Sequence, residues 1–213
     1  MFGITWPHLI TFGIVAVVVI VIPGPSVLFV VSRALANGRQ VAILSVLGNT
    51  VGEYLQVTAV AFGLGAVAEQ SLALFTILKI AGGLYLLYLG WKTFRERGLV
   101  LTITNDPDRR SGRPPFLEGV VVGGTNPKTL VFLAAILPQF VTLAAGHVPL
   151  QILFLGLIFS GIAIISDSTW ALVAGMARHW FVQSPRRLAL IGGAGGLAIV
   201  AVGLGLLISG RRT

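Results

Sequence analysis

Cysteine is absent from this 213-residue chain, so it has no disulfide framework, thiolate metal site or thiol relay. A thiol-transfer role is thereby excluded. Charge is scarce as well: 10% of residues are charged and 55% are hydrophobic, with a mean hydropathy of +0.93. Soluble domains are not built from this composition. Acids are rarer than bases, seven Asp and Glu against fifteen Lys and Arg, for a net charge of +8. That excess lies in short stretches beside apolar runs, without the aromatic interleaving of nucleic-acid grooves, and nucleic acid is not an expected partner. The only histidines, His8, His147 and His179, fall at run ends or in turns. No nucleophile with an adjacent base therefore lies inside a run. The chain does not read as an enzyme, and nothing in it implies a cofactor or a metal.

What is abundant is apolar run length, enough to cross a bilayer repeatedly. The runs predict an all-α integral membrane protein of six spans, His8–Ser32, Gln40–Ala68, Leu72–Lys92, Phe116–Val141, Val148–Ala177 and Leu188–Ser209. A polar, Arg-rich linker, Thr93–Pro115, divides residues 1–92 from residues 116–213. Orientation follows from the basic residues. Arg33, Arg39, Lys92, Arg95, Arg97, Arg109, Arg110, Arg113, Arg178, Arg186 and Arg187 fall on one side, against Arg211 and Arg212 on the other. The linker is expected in the cytoplasm and both termini outside. Ala34-Leu35-Ala36 resembles a signal-peptidase site, but the run before it is too long, lacks a basic n-region and ends in Arg33. Trp6, Trp91 and Trp180 sit near span ends, where interfacial aromatics belong.

The most informative segment is Pro23-Gly24-Pro25, in the middle of the first span. Proline removes an N–H and clashes with the preceding turn, so the helix is expected to break there. In lipid, irregular backbone is tolerated only where it is buried in protein or lines a cavity. Asn126-Pro127 repeats the break in span four, and Glu53 and Asp167 are single acids in the middle of spans two and five. Three spans per half with matching breaks predict a 3+3 inverted repeat with broken helices 1 and 4, a pattern common in transporters.

Glu53, Lys79, Lys128 and Asp167 lie inside spans, each at a cost of about 2.5–3.5 kcal/mol at a helix centre. Glu53, Lys128 and Asp167 fall roughly 15–20 Å from the cytoplasmic ends; Lys79 is nearer the outer end, where its ammonium can snorkel. One reading makes these charges mutual neutralisers that glue helices together. The other makes them the lining of a polar site, because three of them coincide in depth with both breaks. Asn49 and Glu53 share a helix face, with Ser45 a turn earlier, and Ser160 shares one with Asp167. Such a site suits a zwitterion. The half-helix after Pro25 offers N–H groups and positive dipole to an anion, and the half-helix at Pro127 does the same with Lys128 adding charge. Glu53 or Asp167 can hold an ammonium or carry a proton. The candidate substrate-binding residues are Pro23, Gly24, Pro25, Ser26, Asn49, Glu53, Asn126, Pro127, Lys128 and Asp167.

Weaker signals allow two readings each. Gly48-x-x-x-Gly52, Gly119-x-x-x-Gly123 and Gly192-x-x-x-Gly196 fit close packing within the chain or a homodimer contact. Tyr54, Tyr85 and Tyr88 suit a core or interface better than a path. Trp170 can stack on a substrate ammonium or simply pack on a neighbour. Asp106 and Asp108 beside Arg109 and Arg110 read as a solvated loop.

In order and spacing, Pro23-Gly24-Pro25-Ser26, Gly48-Asn49 through Gly52-Glu53, Lys79-Ile80-Ala81-Gly82-Gly83-Leu84-Tyr85-Leu86 with Leu89-Gly90, Asn126-Pro127-Lys128 with Pro138-Gln139-Phe140, and Asp167 resemble the LysE/RhtB family of bacterial amino-acid exporters over nearly the full length. The resemblance implies a multi-pass protein of the bacterial cytoplasmic (inner) membrane, in contact with lipid and compatible with a homodimer. It implies export of amino acids or related metabolites, driven by membrane potential or a proton gradient. Glu53 departs from the pattern, which more often has aspartate. Divalent-cation export, known in related families, is the runner-up; mid-span carboxylates suit a hard cation, but Lys128 beside them repels one. A non-transporting assembly protein would leave the mid-span charges without a purpose.

Overall fold

The computed structural model describes residues 3–68, 72–95, 114–176 and 185–208, and these are helical throughout apart from short connections. Helix α1 spans Trp6–Val21 and α2 spans Pro25–Asn37, separated at the expected break. Two long helices follow, α3 over Arg39–Ala68 and α4 over Leu72–Arg95. Beyond the linker come α5, Pro115–Gly124, and α6, Pro127–Val131, separated at the second break. Helix α7 runs Val148–Met176 and α8 runs Pro185–Ile208. Residues 96–113 of the Arg-rich linker, with Asp106 and Asp108 among them, and Trp180 lie outside the described residues, as does the side chain of Lys79.

Helix α7, at 29 residues, is long and apolar enough to cross a bilayer alone. The pair α1–α2, bent by 51°, and the pair Pro115–Gly124 with Pro127–Phe140, bent by 41°, each qualify as one unit. By length and composition together, the described helices thus supply one span, or up to three if each bent pair counts as one. The other three, α3, α4 and α8, have 30, 24 and 24 residues, against the roughly 20 needed to cross a bilayer core. Large apolar side chains stay exposed along α1, including Ile10, Ile14 and Val18.

After α6 the helix widens into a π-helical stretch, Phe132–Ile136, and ends as a 3-10 turn, Leu137–Phe140. Pro138 explains the change, since it has no N–H to offer the carbonyl four residues back. Leu137 N instead reaches Phe132 O, five residues back. The Gln139 side chain donates to Ala135 O at 2.8 Å, covering a freed carbonyl.

Glycine sets the closest helix contacts. Gly48 and Gly52 of α3 lie against the backbone of α5 at Phe116, Val120 and Gly123, while Gly119 and Gly123 of α5 lie against Ser45 and Asn49. A Cβ at any of these four positions would collide with main-chain atoms. The first two glycine spacings therefore interlock within one chain. Gly196 of α8 similarly meets Gly90 of α4.

Two apolar clusters result. One gathers Phe12, Ala16, Val19, Val57, Phe132, Leu155, Phe159 and Ala163, with Phe132 and Phe159 stacked at 5.2 Å between centroids. The other gathers Val27, Val30, Val31, Ala34, Val46, Ala171 and Ala174. Along each helix that contributes to both, polar residues occupy the gap. On α3, Asn49, Glu53 and Gln56 stand between Val46 and Val57; on α7, Asp167 stands between Ala163 and Ala171.

Leucine at Gly123 should destabilise the protein by more than the about 1–3 kcal/mol typical of overpacking, because backbone rather than side chain blocks its Cβ. The check is the thermal midpoint of purified protein in detergent, which Gly123→Leu should lower and Gly63→Ala, where a Cβ meets nothing within 4 Å, should not.

Candidate functional site

The polar layer between the two clusters is built around the two helix breaks, and each break is held by side chains from elsewhere. Pro23 cannot supply the N–H that would reach Val19 O, four residues back. Lys128 supplies it instead: its Nζ donates to Val19 O at 3.0 Å and to Ile22 O at 2.8 Å. The side chain passes directly over Gly24, where a Cβ would stand 3.2 Å from Lys128 Cδ, Cε and Nζ. Absence of a side chain at Gly24 is what admits the lysine. A cation at the C-terminal end of α1 also opposes the negative pole of that helix.

The second break is closed from α3. Gln56 Nε2 donates to Gly124 O at 2.9 Å and to Asn126 O at 3.2 Å. Asn126 caps the helix it precedes, accepting Lys128 N on Oδ1 at 3.1 Å. Its Nδ2 donates to Ser26 Oγ at 2.6 Å, joining the second break to the start of α2.

Both acids are buried beside the breaks, Glu53 4% and Asp167 2% exposed. Asn49 joins them: its Nδ2 donates to Glu53 Oε1 at 3.1 Å and to Asp167 Oδ2 at 3.2 Å. Thr129 Oγ1 also donates to Glu53 Oε1, at 3.3 Å. Lys128 makes no ion pair with either acid; the salt bridge among the described residues joins Arg33 to Glu118 instead. Glu53, Asp167 and Lys128 are therefore not joined to one another by direct ion pairs.

Four buried polar atoms in this region have no partner: Asn49 Oδ1, Glu53 Oε2, Gln56 Oε1 and Ser160 Oγ. A buried orphan costs about 1–3 kcal/mol, and native structures keep few of them. The adjoining cavity, lined by Val19, Ile22, Leu86, Lys128, Phe132 and Ile199, measures about 10 Å³, room for about one water. The polar layer is packed closed in this conformation.

All ten sequence-predicted residues come to the two breaks and the facing surfaces of α3 and α7. The two half-helix N-termini differ, however. Asn126 already caps α6, whereas Gly24 gives α2 no side-chain cap. The first α2 bond runs from Leu28 N to Gly24 O at 2.9 Å, so the N–H groups of Ser26 and Val27 precede it. Lys128 is engaged with carbonyls rather than standing free for an anion. Trp170 is half-buried against the cluster containing Val27, and Tyr54 packs on the larger cluster. Tyr85 and Tyr88 are exposed.

Gln56, Thr129 and the Arg33–Glu118 pair were not legible as site or closure residues. Gln56 did carry a signal, falling three residues after Glu53 and seven after Asn49, on the same helix stripe. Arg33, near the end of α2, and Glu118, near the start of α5, join the ends of those half-helices that lie away from the breaks.

A family model, the LysE type translocator, matches residues 17–210. The chain belongs to this family. The chain is 33% identical over 171 residues to an uncharacterized membrane protein of Vibrio cholerae, covering 80% of this chain and 82% of the relative. It is 30% identical over 190 residues to the homoserine/homoserine lactone efflux protein of Salmonella typhimurium, covering 89% of this chain and 90% of the relative. A threonine efflux protein of Salmonella typhi is 30% identical over 135 residues, 62% of this chain and 65% of the relative. No solved structure matches it. The chain is a multi-pass protein of the inner membrane.

Lys128→Met should orphan Val19 O and Ile22 O and destabilise the protein by about 1–3 kcal/mol for each carbonyl. Thermal unfolding in detergent reads the loss. Lys92→Met, at an exposed position near the end of α4, should leave the midpoint in place.

Proposed function

We propose that this protein is a secondary exporter of amino acids or closely related small metabolites, working by alternating access around the buried polar layer. The observation that carries the reading is the pairing of two acids, Glu53 and Asp167, through Asn49 beside the uncapped N-terminus of α2. A zwitterion needs both features: N–H groups and positive dipole for its carboxylate, and carboxylates for its ammonium. Efflux of homoserine and of threonine by relatives of the chain supports the same substrate class. In this reading the chain is a 3+3 inverted repeat of six spans, residues 1–92 and 116–213, with broken spans one and four lying antiparallel. The Arg33–Glu118 pair holds the cytoplasmic side shut. One repeat rocks against the other, and the acids also carry the coupling proton.

Proteoliposomes loaded with radiolabelled L-homoserine or L-threonine should release it faster when a proton gradient or membrane potential is imposed. Glu53→Gln combined with Asp167→Asn should cut that release at least tenfold, a rise of about 1.4 kcal/mol or more in the activation barrier. Undiminished efflux from the double variant would remove both acids from the mechanism.

The orientation is open to direct measurement, because the chain has no cysteine of its own. A membrane-impermeant maleimide should label His147→Cys in intact cells, and Asp108→Cys only after permeabilisation. The reverse pattern would place the Arg-rich linker outside.

A further inference from the structure

Three of the four orphaned atoms stand on one helix at positions 49, 53 and 56, the i, i+4, i+7 stripe of α3. Their side chains are almost fully buried, 0%, 4% and 6% exposed. The amide orientations follow from their partners. Asn49 Nδ2 faces two carboxylate oxygens, and Gln56 Nε2 faces two backbone carbonyls. Each of those four partners only accepts when the acids are ionised, so each amide oxygen is turned the other way. The stripe therefore presents Asn49 Oδ1, Glu53 Oε2 and Gln56 Oε1, three oxygens lacking donors. Lys128, the nearest cation, has turned to Val19 O and Ile22 O.

We infer that Asn49, Glu53 and Gln56 form a tripod of acceptors for a primary ammonium group, and that Gln56 makes the site selective for an unsubstituted amine. The inference rests on the amino-acid export reading and adds what the site discriminates. A primary ammonium carries three N–H donors, one for each orphaned oxygen. Every N-methyl group deletes one donor and leaves a buried oxygen bare, and discrimination against a missing hydrogen-bonding group is large for that reason. Gln56 has two separable functions: Nε2 closes the second break, and Oε1 reads the amine.

The test uses purified full-length protein in proteoliposomes, with efflux of radiolabelled L-homoserine and L-threonine measured against their N-methyl and N,N,N-trimethyl derivatives as competitors on the loaded side. The N-methyl derivatives should compete at least tenfold more weakly than the unlabelled parent, and the trimethyl derivatives not at all. Gln56→Met, which loses both functions, should bring parent and N-methyl competitor within about twofold of each other. Gln56→Glu, which loses the break contacts but keeps acceptor oxygens, should retain the preference; a purely structural role would affect both variants alike. Equal competition by the trimethyl derivatives, or full discrimination in a folded Gln56→Met protein, overturns the inference while leaving export intact. So does sodium-dependent efflux indifferent to N-methylation, which would assign the stripe to an alkali cation. If neither amino acid is exported, the export reading falls and this inference falls with it.

Discussion

The structure turns on one side chain, Lys128, which starts beside the second helix break and ends on the first. Its Nζ takes the place of the N–H missing at Pro23 and reaches Ile22 O as well. Without that ammonium, the first break would leave carbonyls unpaired inside a membrane protein, where no water replaces the lost partner. The return link runs from Asn126 to Ser26. Neither break is a self-contained turn; the first is completed by a residue 106 to 109 positions away in sequence and the second by one 68 to 70 positions away.

Around this stitch the remaining arrangement follows from layering. Apolar clusters lie on both sides of the polar stratum, and α3 and α7 cross it while changing from apolar to polar and back. The interlocked glycines bring α3 backbone against α5 backbone. That closeness carries Gln56 to the carbonyls of Gly124 and Asn126, and Thr129 to Glu53. Small residues at one end of a helix seam thus position large polar ones at the other.

Much of this was readable from residue chemistry, because proline acts locally. Pro23 and Pro25 had to stop one helix and start another, and Pro127 had to do the same again. Mid-span acids announced themselves by their cost in lipid. Less was readable wherever the outcome depended on a partner. Lys128 looks like a free positive charge until Val19 O and Ile22 O are seen beneath it. Asn126 looks like one more polar residue until its Oδ1 is found capping Lys128 N, which leaves α2 as the uncapped half-helix. Gln56, being uncharged, carried no obvious cost and stood out only once its Nε2 was seen at the second break. The widened helix near Pro138 shows the same limit: proline predicts disruption, but not whether the chain kinks or adds a residue to the turn.

The long-range stitch also bears on biogenesis. A chain threaded into the bilayer from its N-terminus delivers the first break well before residue 128 has left the ribosome. Until the fourth apolar segment arrives, Val19 O and Ile22 O wait without their ammonium, so the first segment cannot reach its final shape on its own. The N-terminal half is inserted early but finished late, and Lys128 is the residue whose arrival completes it.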